Sequence, residues 1–231
     1  MCKKHRKGRS LFGHLQNLSY FCGSFNEDNR NMLFESQIID LMRDMPAHKI
    51  EHEKEQMRGL DSQRRRVMTP EEVKTDSRKI VDQIERMSCW KDAKTVMLYY
   101  PIHNEVDLRH LVHVYADEKT FLLPATVGGH KIEVRRYEKN RPLKKGQFGI
   151  PEPDTEAWTG SIDLILVPGV AFGTDRFRLG RGGGYYDRFL KFYEHTMKIG
   201  VCYDFQLHED LPSQFFDIQM DRVVTPSKTI G

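Results

Sequence analysis

The sequence predicts an α/β fold: one domain on an open, mostly parallel sheet, with helices on its faces. Three observations predict it. Short apolar runs of strand length, Lys94 to Tyr100 and Ile162 to Phe172 among them, alternate with amphipathic stretches of helical period. A glycine-rich segment, Arg178-Leu179-Gly180-Arg181-Gly182-Gly183-Gly184, follows the second run and opens onto aromatics at helical spacing, Tyr185, Phe189 and Tyr193. The 231 residues suffice for one such domain with a sizeable core.

Residues 1–50 stand apart. They begin with a basic run, Met1 to Arg9, and continue through polar pieces with no sustained period, although Met32 to Met45 has the makings of a short helix. No apolar core follows the basic start, so a secretory signal does not fit. The expectation is a poorly ordered extension, with Met42 or Met45 as alternative starts and a folded domain over 51–231. This stretch holds eight Lys/Arg against five Asp/Glu, which equals the +3 of the whole chain, so residues 51–231 balance to zero. A neutral body carries no nucleic-acid signature. No apolar stretch approaches the length of a membrane span. The four cysteines are scattered, without a Cys-x-x-Cys pair, as in a cytoplasmic protein with reduced thiols.

From Glu51 the elements follow in order. Glu51 to Arg66 is a charged helix that places Lys54 and Arg58 on one face, four residues apart. Thr69-Pro70-Glu71-Glu72 spells a capping box with proline at the first helical position, and the helix it starts runs to about Met87, burying Val73, Ile80, Val81 and Ile84. Lys94 to Tyr100 is a strand broken by Pro101, and Asp107 caps a helix carrying Leu108, Leu111, Val112 and Tyr115. Phe121 to Ala125 and Ile132 to Tyr137 are two more strands. Gln147 to Pro153 is too rich in glycine and proline for a regular element. Lys198 to Tyr203 and Asp221 to Thr225 complete the sheet.

Chemistry concentrates at the glycines. Strand, glycine-rich loop and helix is an arrangement that offers backbone N–H groups to phosphate. Gly180, Gly182, Gly183 and Gly184 let the main chain approach a ligand closely. Arg178 and Arg181 can grip phosphate oxygens, and Asp187, early in the helix, suits a divalent metal. Two familiar loops are excluded: the segment ends Gly-Tyr-Tyr where a Walker loop needs Gly-Lys-Ser/Thr, and Tyr185 stands where the dinucleotide fingerprint needs its third glycine. Glu105, in the loop after the first strand, reads either as a helix-start carboxylate or as a ligand contact, since such loops bind ligands in open α/β sheets. His103 reads as a surface histidine.

Leu179 to Leu190 resembles the signature of the 5-formyltetrahydrofolate cyclo-ligase family, also called methenyltetrahydrofolate synthetases. Lys54-Glu55-Gln56-Met57-Arg58 is similar to that family's opening Lys-x-x-Leu-Arg, with Met57 for the usual leucine. Gly149-Ile150-Pro151-Glu152-Pro153 is similar to its Gly-Ile-x-Glu-Pro segment near the substrate. One departure is Phe216-Asp217, where the family often has His-Asp. The resemblance runs from about Lys54 to Thr225 and implies a Rossmann-like fold. It implies ATP- and Mg²⁺-dependent conversion of 5-formyltetrahydrofolate, with or without a polyglutamate tail, to 5,10-methenyltetrahydrofolate, ADP and phosphate. The implied ATP site is Lys54, Arg58, Arg178, Gly180, Arg181, Gly182, Gly183, Gly184, Tyr185 and Tyr186. Glu105, Gly182, Gly183, Gly184 and Tyr185 would contact folate, Arg181 and Tyr185 would act in catalysis, and Asp187 and Asp221 would hold magnesium. A monomer or weak dimer, with no nucleic-acid or membrane partner, is the matching expectation. A non-catalytic folate- or nucleotide-binding protein on the same scaffold is the alternative, and a sugar-phosphate isomerase a third; dependence on ATP separates them.

Overall fold

The computed structural model describes residues 47–213 and 217–231, and Lys54–Gly231 packs as one compact unit. The short helix expected over Met32 to Met45 lies outside the described residues. Helix α1 spans Ala47–Arg66, α2 Pro70–Arg86 and α3 Ser88–Asp92. Strand β1 (Thr95–Met97), helix α4 (Arg109–Tyr115), strands β2 (Thr120–Val127) and β3 (Lys131–Arg136), and a small hairpin of β4 (Lys144–Lys145) and β5 (Pro151–Glu152) follow. The second half contains β6 (Leu164–Pro168), β7 (Ala171–Gly173), β8 (Arg178–Leu179), α5 (Tyr185–Leu190), β9 (Met197–Val201), β10 (Leu207–His208), β11 (Arg222–Val224) and β12 (Thr229–Ile230).

Seven strands form the main sheet in the order β12-β11-β9-β6-β1-β2-β3. The inner pairings are parallel, and antiparallel partners close both edges, β3 on β2 and β12 on β11. This is the α/β class read from the sequence. The period of two along the central strands sorts their side chains onto two cores. Leu164 and Leu166 of β6 join Val96, Phe121, Leu123, Ile199 and Val201 under α2 and α4. Ile165 and Val167 join Met97, Leu122, Val223 and the α5 residues Phe189 and Leu190 on the other face. A sheet buried on both faces reads as continuous apolar runs, which is why β6 was legible.

The capping box forms as its residues dictate. Thr69 Oγ1 accepts from Glu72 N at 3.2 Å, and Glu72 Oε2 accepts from Thr69 N at 2.7 Å. Ile80, Val81 and Ile84 are buried on α2, whereas Val73 is half-buried near the helix start. Asp107 accepts from Arg109 N at 2.9 Å, although Leu108 holds the N-cap position itself.

One expected strand is two. The run Ile162 to Phe172 breaks at Gly169-Val170, because Val170 N turns away to Leu179 O at 2.8 Å. After the break β7 pairs with β8 and β10 in a separate three-stranded sheet. The glycine loop therefore hangs from β8 and not from the central strand. Phe172 fixes the break, its ring seated between Gly169 and Gly200, where an added Cβ would lie 2.5 Å and 2.3 Å from ring carbons.

That fit yields a stability test. Gly200→Ala should destabilise the protein by about 1–3 kcal/mol, the range for overpacking a dense core. Adding Phe172→Leu should recover part of the loss. Urea denaturation of the three proteins measures both effects, and additive losses would remove the ring as the cause.

Candidate active site

Helix α1 buries charge where an ordinary helix buries leucine. Lys54, Asp61 and Arg65 are buried and Arg58 is half-buried, and their spacing of four, three and four keeps them on one face. Each meets a different loop. Lys54 Nζ pairs with Asp217 Oδ2 at 2.8 Å, and Arg58 Nε donates to Gly180 O at 3.0 Å. His208 Nε2 donates to Asp61 Oδ2 at 2.6 Å, and Arg65 Nε donates to His103 O at 3.1 Å. The loops touched by Arg58 and Arg65 lead off β8 and β1, so α1 gathers them into one place.

The glycine loop completes the cluster. Gly182 and Gly184 have φ of 92° and 65°, in the left-handed region that favours glycine. Arg181 Nη2 donates to Glu105 Oε1 at 2.7 Å, and Arg65 Nη1 stands 3.9 Å from the same oxygen. Arg178 Nη2 donates to Asp187 Oδ1 at 2.7 Å, with its guanidinium 5.4 Å from the Tyr186 ring centre. Lys54, Arg58, Arg65, Arg178 and Arg181 thus gather with the carboxylates Glu55, Asp61, Glu105, Asp187 and Asp217, a cluster rich in charge of both signs whose arginine forks suit phosphate oxygens.

Two buried atoms here find no hydrogen-bond partner, Arg178 Nε and the Tyr186 hydroxyl. Arg135 Nε and the Tyr203 hydroxyl share that condition elsewhere, so what distinguishes this pair is its place among the loop arginines. Burial, followed by the nearby Glu105 charge, raises the Tyr186 pKa, so the hydroxyl stays protonated and able to donate. Burial lowers the Arg65 pKa and Glu105 opposes the shift. Tyr185, beside this cluster, packs against aromatic neighbours: His130 at 5.4 Å and Phe148 edge-on at 5.9 Å. Phe148 is 68% exposed, an open aromatic face beside the loop.

The structure brings Lys54 and Arg58 to α1's inner face, gathers Arg178, Gly180, Arg181, Gly182, Gly183, Gly184, Tyr185, Tyr186 and Asp187 at the loop, and turns Glu105 toward Arg181. Asp221, just before β11, accepts from Lys198 N through Oδ2 at 2.7 Å, and its carbonyl accepts at 3.2 Å from Nη1 of Arg176, two residues before Arg178. Asp217 reaches the cluster through Lys54. Among the described residues no three His, Cys, Asp or Glu side chains could together hold a metal ion. His103 is exposed as expected, but its carbonyl receives Arg65. A cavity of about 500 Å³ lined by Arg64, Tyr203 and Phe205 lies elsewhere, with no glycine-loop residue in its wall.

Residues 50–226 match the model of the 5-formyltetrahydrofolate cyclo-ligase family. The chain belongs to that family.

Among cyclo-ligase relatives, "Probable 5-formyltetrahydrofolate cyclo-ligase" of Schizosaccharomyces pombe is 32% identical over 178 residues, 68% of this chain and 87% of that protein. The 5-formyltetrahydrofolate cyclo-ligase of Escherichia coli is 30% identical over 175 residues, 72% of this chain and 96% of that one. The solution structure of Aquifex aeolicus 5,10-methenyltetrahydrofolate synthetase superposes with a TM-score of 0.69 at 38% identity, covering 77% of this chain and 91% of its own.

A left-handed glycine and a helical one make a paired prediction. Gly184→Ala forces Cβ into that region and within 2.6 Å of Arg188 Nη1, so it should destabilise by roughly 1–2 kcal/mol. Gly59→Ala meets nothing within 4 Å in α1 and should stabilise by about 0.5–1 kcal/mol. Opposite shifts in thermal midpoint are the expected result.

Proposed function

We propose that the glycine loop and the charged face of α1 form the ATP and folate site of a cyclo-ligase that converts 5-formyltetrahydrofolate to 5,10-methenyltetrahydrofolate. The observation that carries this reading is the pair of unpartnered buried donors, Arg178 Nε and the Tyr186 hydroxyl, beside the arginines of the glycine loop. Both are donors without a partner, and nucleotide phosphate would supply acceptor oxygens.

The chemistry needs no nucleophilic side chain. The formyl oxygen attacks the γ-phosphorus of ATP, and ADP leaves with the bonding pair. The second folate nitrogen then attacks the activated carbon and loses its proton, and phosphate departs with the C–O electrons. In such transfers the protein positions reactants and stabilises charge. Arg58, Arg178, Arg181 and the glycine N–H groups would hold phosphate oxygens, with Lys54 beside them. Glu105 and Tyr185 would contact the folate, Tyr185 through its ring. Magnesium accompanying ATP would be held chiefly by the nucleotide's own oxygens. Asp187, on the glycine-loop helix, and Asp221, before β11, are the carboxylates that would assist.

The direct test is the methenyl-folate absorbance that appears from 5-formyltetrahydrofolate with and without Mg-ATP. Turnover only with ATP is expected; folate binding without turnover would favour a non-catalytic binding protein. Arg58→Ala should raise the KM for ATP about ten- to a hundredfold, the equivalent of one charge-assisted contact, with the folate KM nearly unchanged. An unaltered ATP dependence would remove Arg58 from the nucleotide site.

A further inference from the structure

Arg65 is the most buried arginine among the described residues, with 4% of its surface exposed. Its partners are unusual for a helix arginine. Nε donates to His103 O at 3.1 Å, Nη1 reaches Gly169 O at 3.5 Å, and the same nitrogen lies 3.9 Å from Glu105 Oε1. The loop answers in kind: Asn104 Nδ2 donates to Arg65 O and to Met68 O, each at 3.1 Å.

These bonds clamp a strained turn. His103 and Asn104 are consecutive non-glycine residues in the left-handed region, with φ of 50° and 59°. Glu105 follows at once, its Oε2 accepting from Ile102 N at 3.1 Å, so the turn closes on itself. Such backbone persists where its surroundings over-determine it, and it clusters at functional sites. Here the end of α1 supplies the over-determination. The planar fork serves a carbonyl on each of two loops while facing a carboxylate, with its donors fixed in one plane, a geometry that the shorter reach and rotating donors of lysine do not reproduce.

We infer that Arg65 is a positioning residue. It holds the turn over residues 102–105 so that the Glu105 carboxylate meets Arg181 of the glycine loop where folate would bind. The inference rests on the proposed function and adds a residue to its folate side. Arg65 acts through Glu105 and need not touch the substrate.

The test compares steady-state cyclisation by wild type, Arg65→Lys, Arg65→Met, Glu105→Gln and the Arg65→Met/Glu105→Gln double variant, with a melting curve for each. Both Arg65 variants should raise the folate KM about ten- to a hundredfold, as for loss of one charged hydrogen bond. The KM for ATP should change less than about twofold, since the loss falls on one substrate. In the double variant the folate KM should match Glu105→Gln alone, the signature of two residues acting as one unit. A merely structural arginine would lower the melting temperature and the active fraction and leave both KM values in place. An unchanged folate KM, full rescue by lysine, or independent effects in the double variant would overturn the inference. If Arg65→Met does not fold, Arg65→Lys and its combination with Glu105→Gln decide by the same criteria. Wild type without ATP-dependent turnover would overturn the functional reading and this inference with it; wild-type turnover with unmoved variants overturns this inference alone.

Discussion

The site depends on one constraint: the inward face of α1 is charged and has to be neutralised. Lys54, Asp61 and Arg65 are buried, and Arg58 is nearly so. Removing a charge from water is expensive unless a partner and hydrogen bonds replace the lost solvation, and stripping one partner from a buried pair typically costs roughly 3–5 kcal/mol. Each residue of the stripe therefore dictates where something else must be. Asp217, Gly180 O, His208, and the His103 carbonyl with Glu105 are those partners. An apolar stripe would have packed on whatever surface it met. A charged one accepts few dockings, which is a way to hold loops in register.

The same constraint explains why the cations have unused capacity. Arg181 and Arg65 share one carboxylate, Glu105, and Arg178 spends one nitrogen on Asp187 while its Nε stays without a partner. Arginine forks with donors to spare beside a glycine loop suit an anionic ligand. Open glycine backbone at Gly182 and Gly184 adds access that side chains would block.

The hydrophobic part of the molecule contributes stiffness. Two apolar layers, one on each face of the sheet, fix the carboxyl ends of β1, β6 and β9 relative to one another. Phe172, locked between Gly169 and Gly200, ends the central strand at the level where Arg65 and Arg178 receive the Gly169 and Pro168 carbonyls. Core packing thereby sets the place where the polar loops begin. The small sheet of β7, β8 and β10 then carries the glycine loop away from that edge.

Local chemistry was legible from the sequence. The capping box at Thr69, the continuous apolar run of β6, the parallel α/β class and the glycine-arginine-tyrosine segment all follow from residue type and spacing, because each depends on neighbours in the chain. Resemblance to the family, and not residue type, marked Glu105 and Lys54 as candidates. What residue type could not supply was who meets whom across the fold. The break at Gly169 depends on where β8 returns. The bond from Lys198 N to Asp221 depends on the register of β9 with β11, which no local pattern encodes. Arg65 sits inside a run of three arginines, Arg64 to Arg66, and residue type does not say which of them turns inward. A charged stripe and an apolar one have the same helical period, and only the tertiary structure, by placing carbonyls and carboxylates opposite Lys54, Arg58, Asp61 and Arg65, decided that this face points inward.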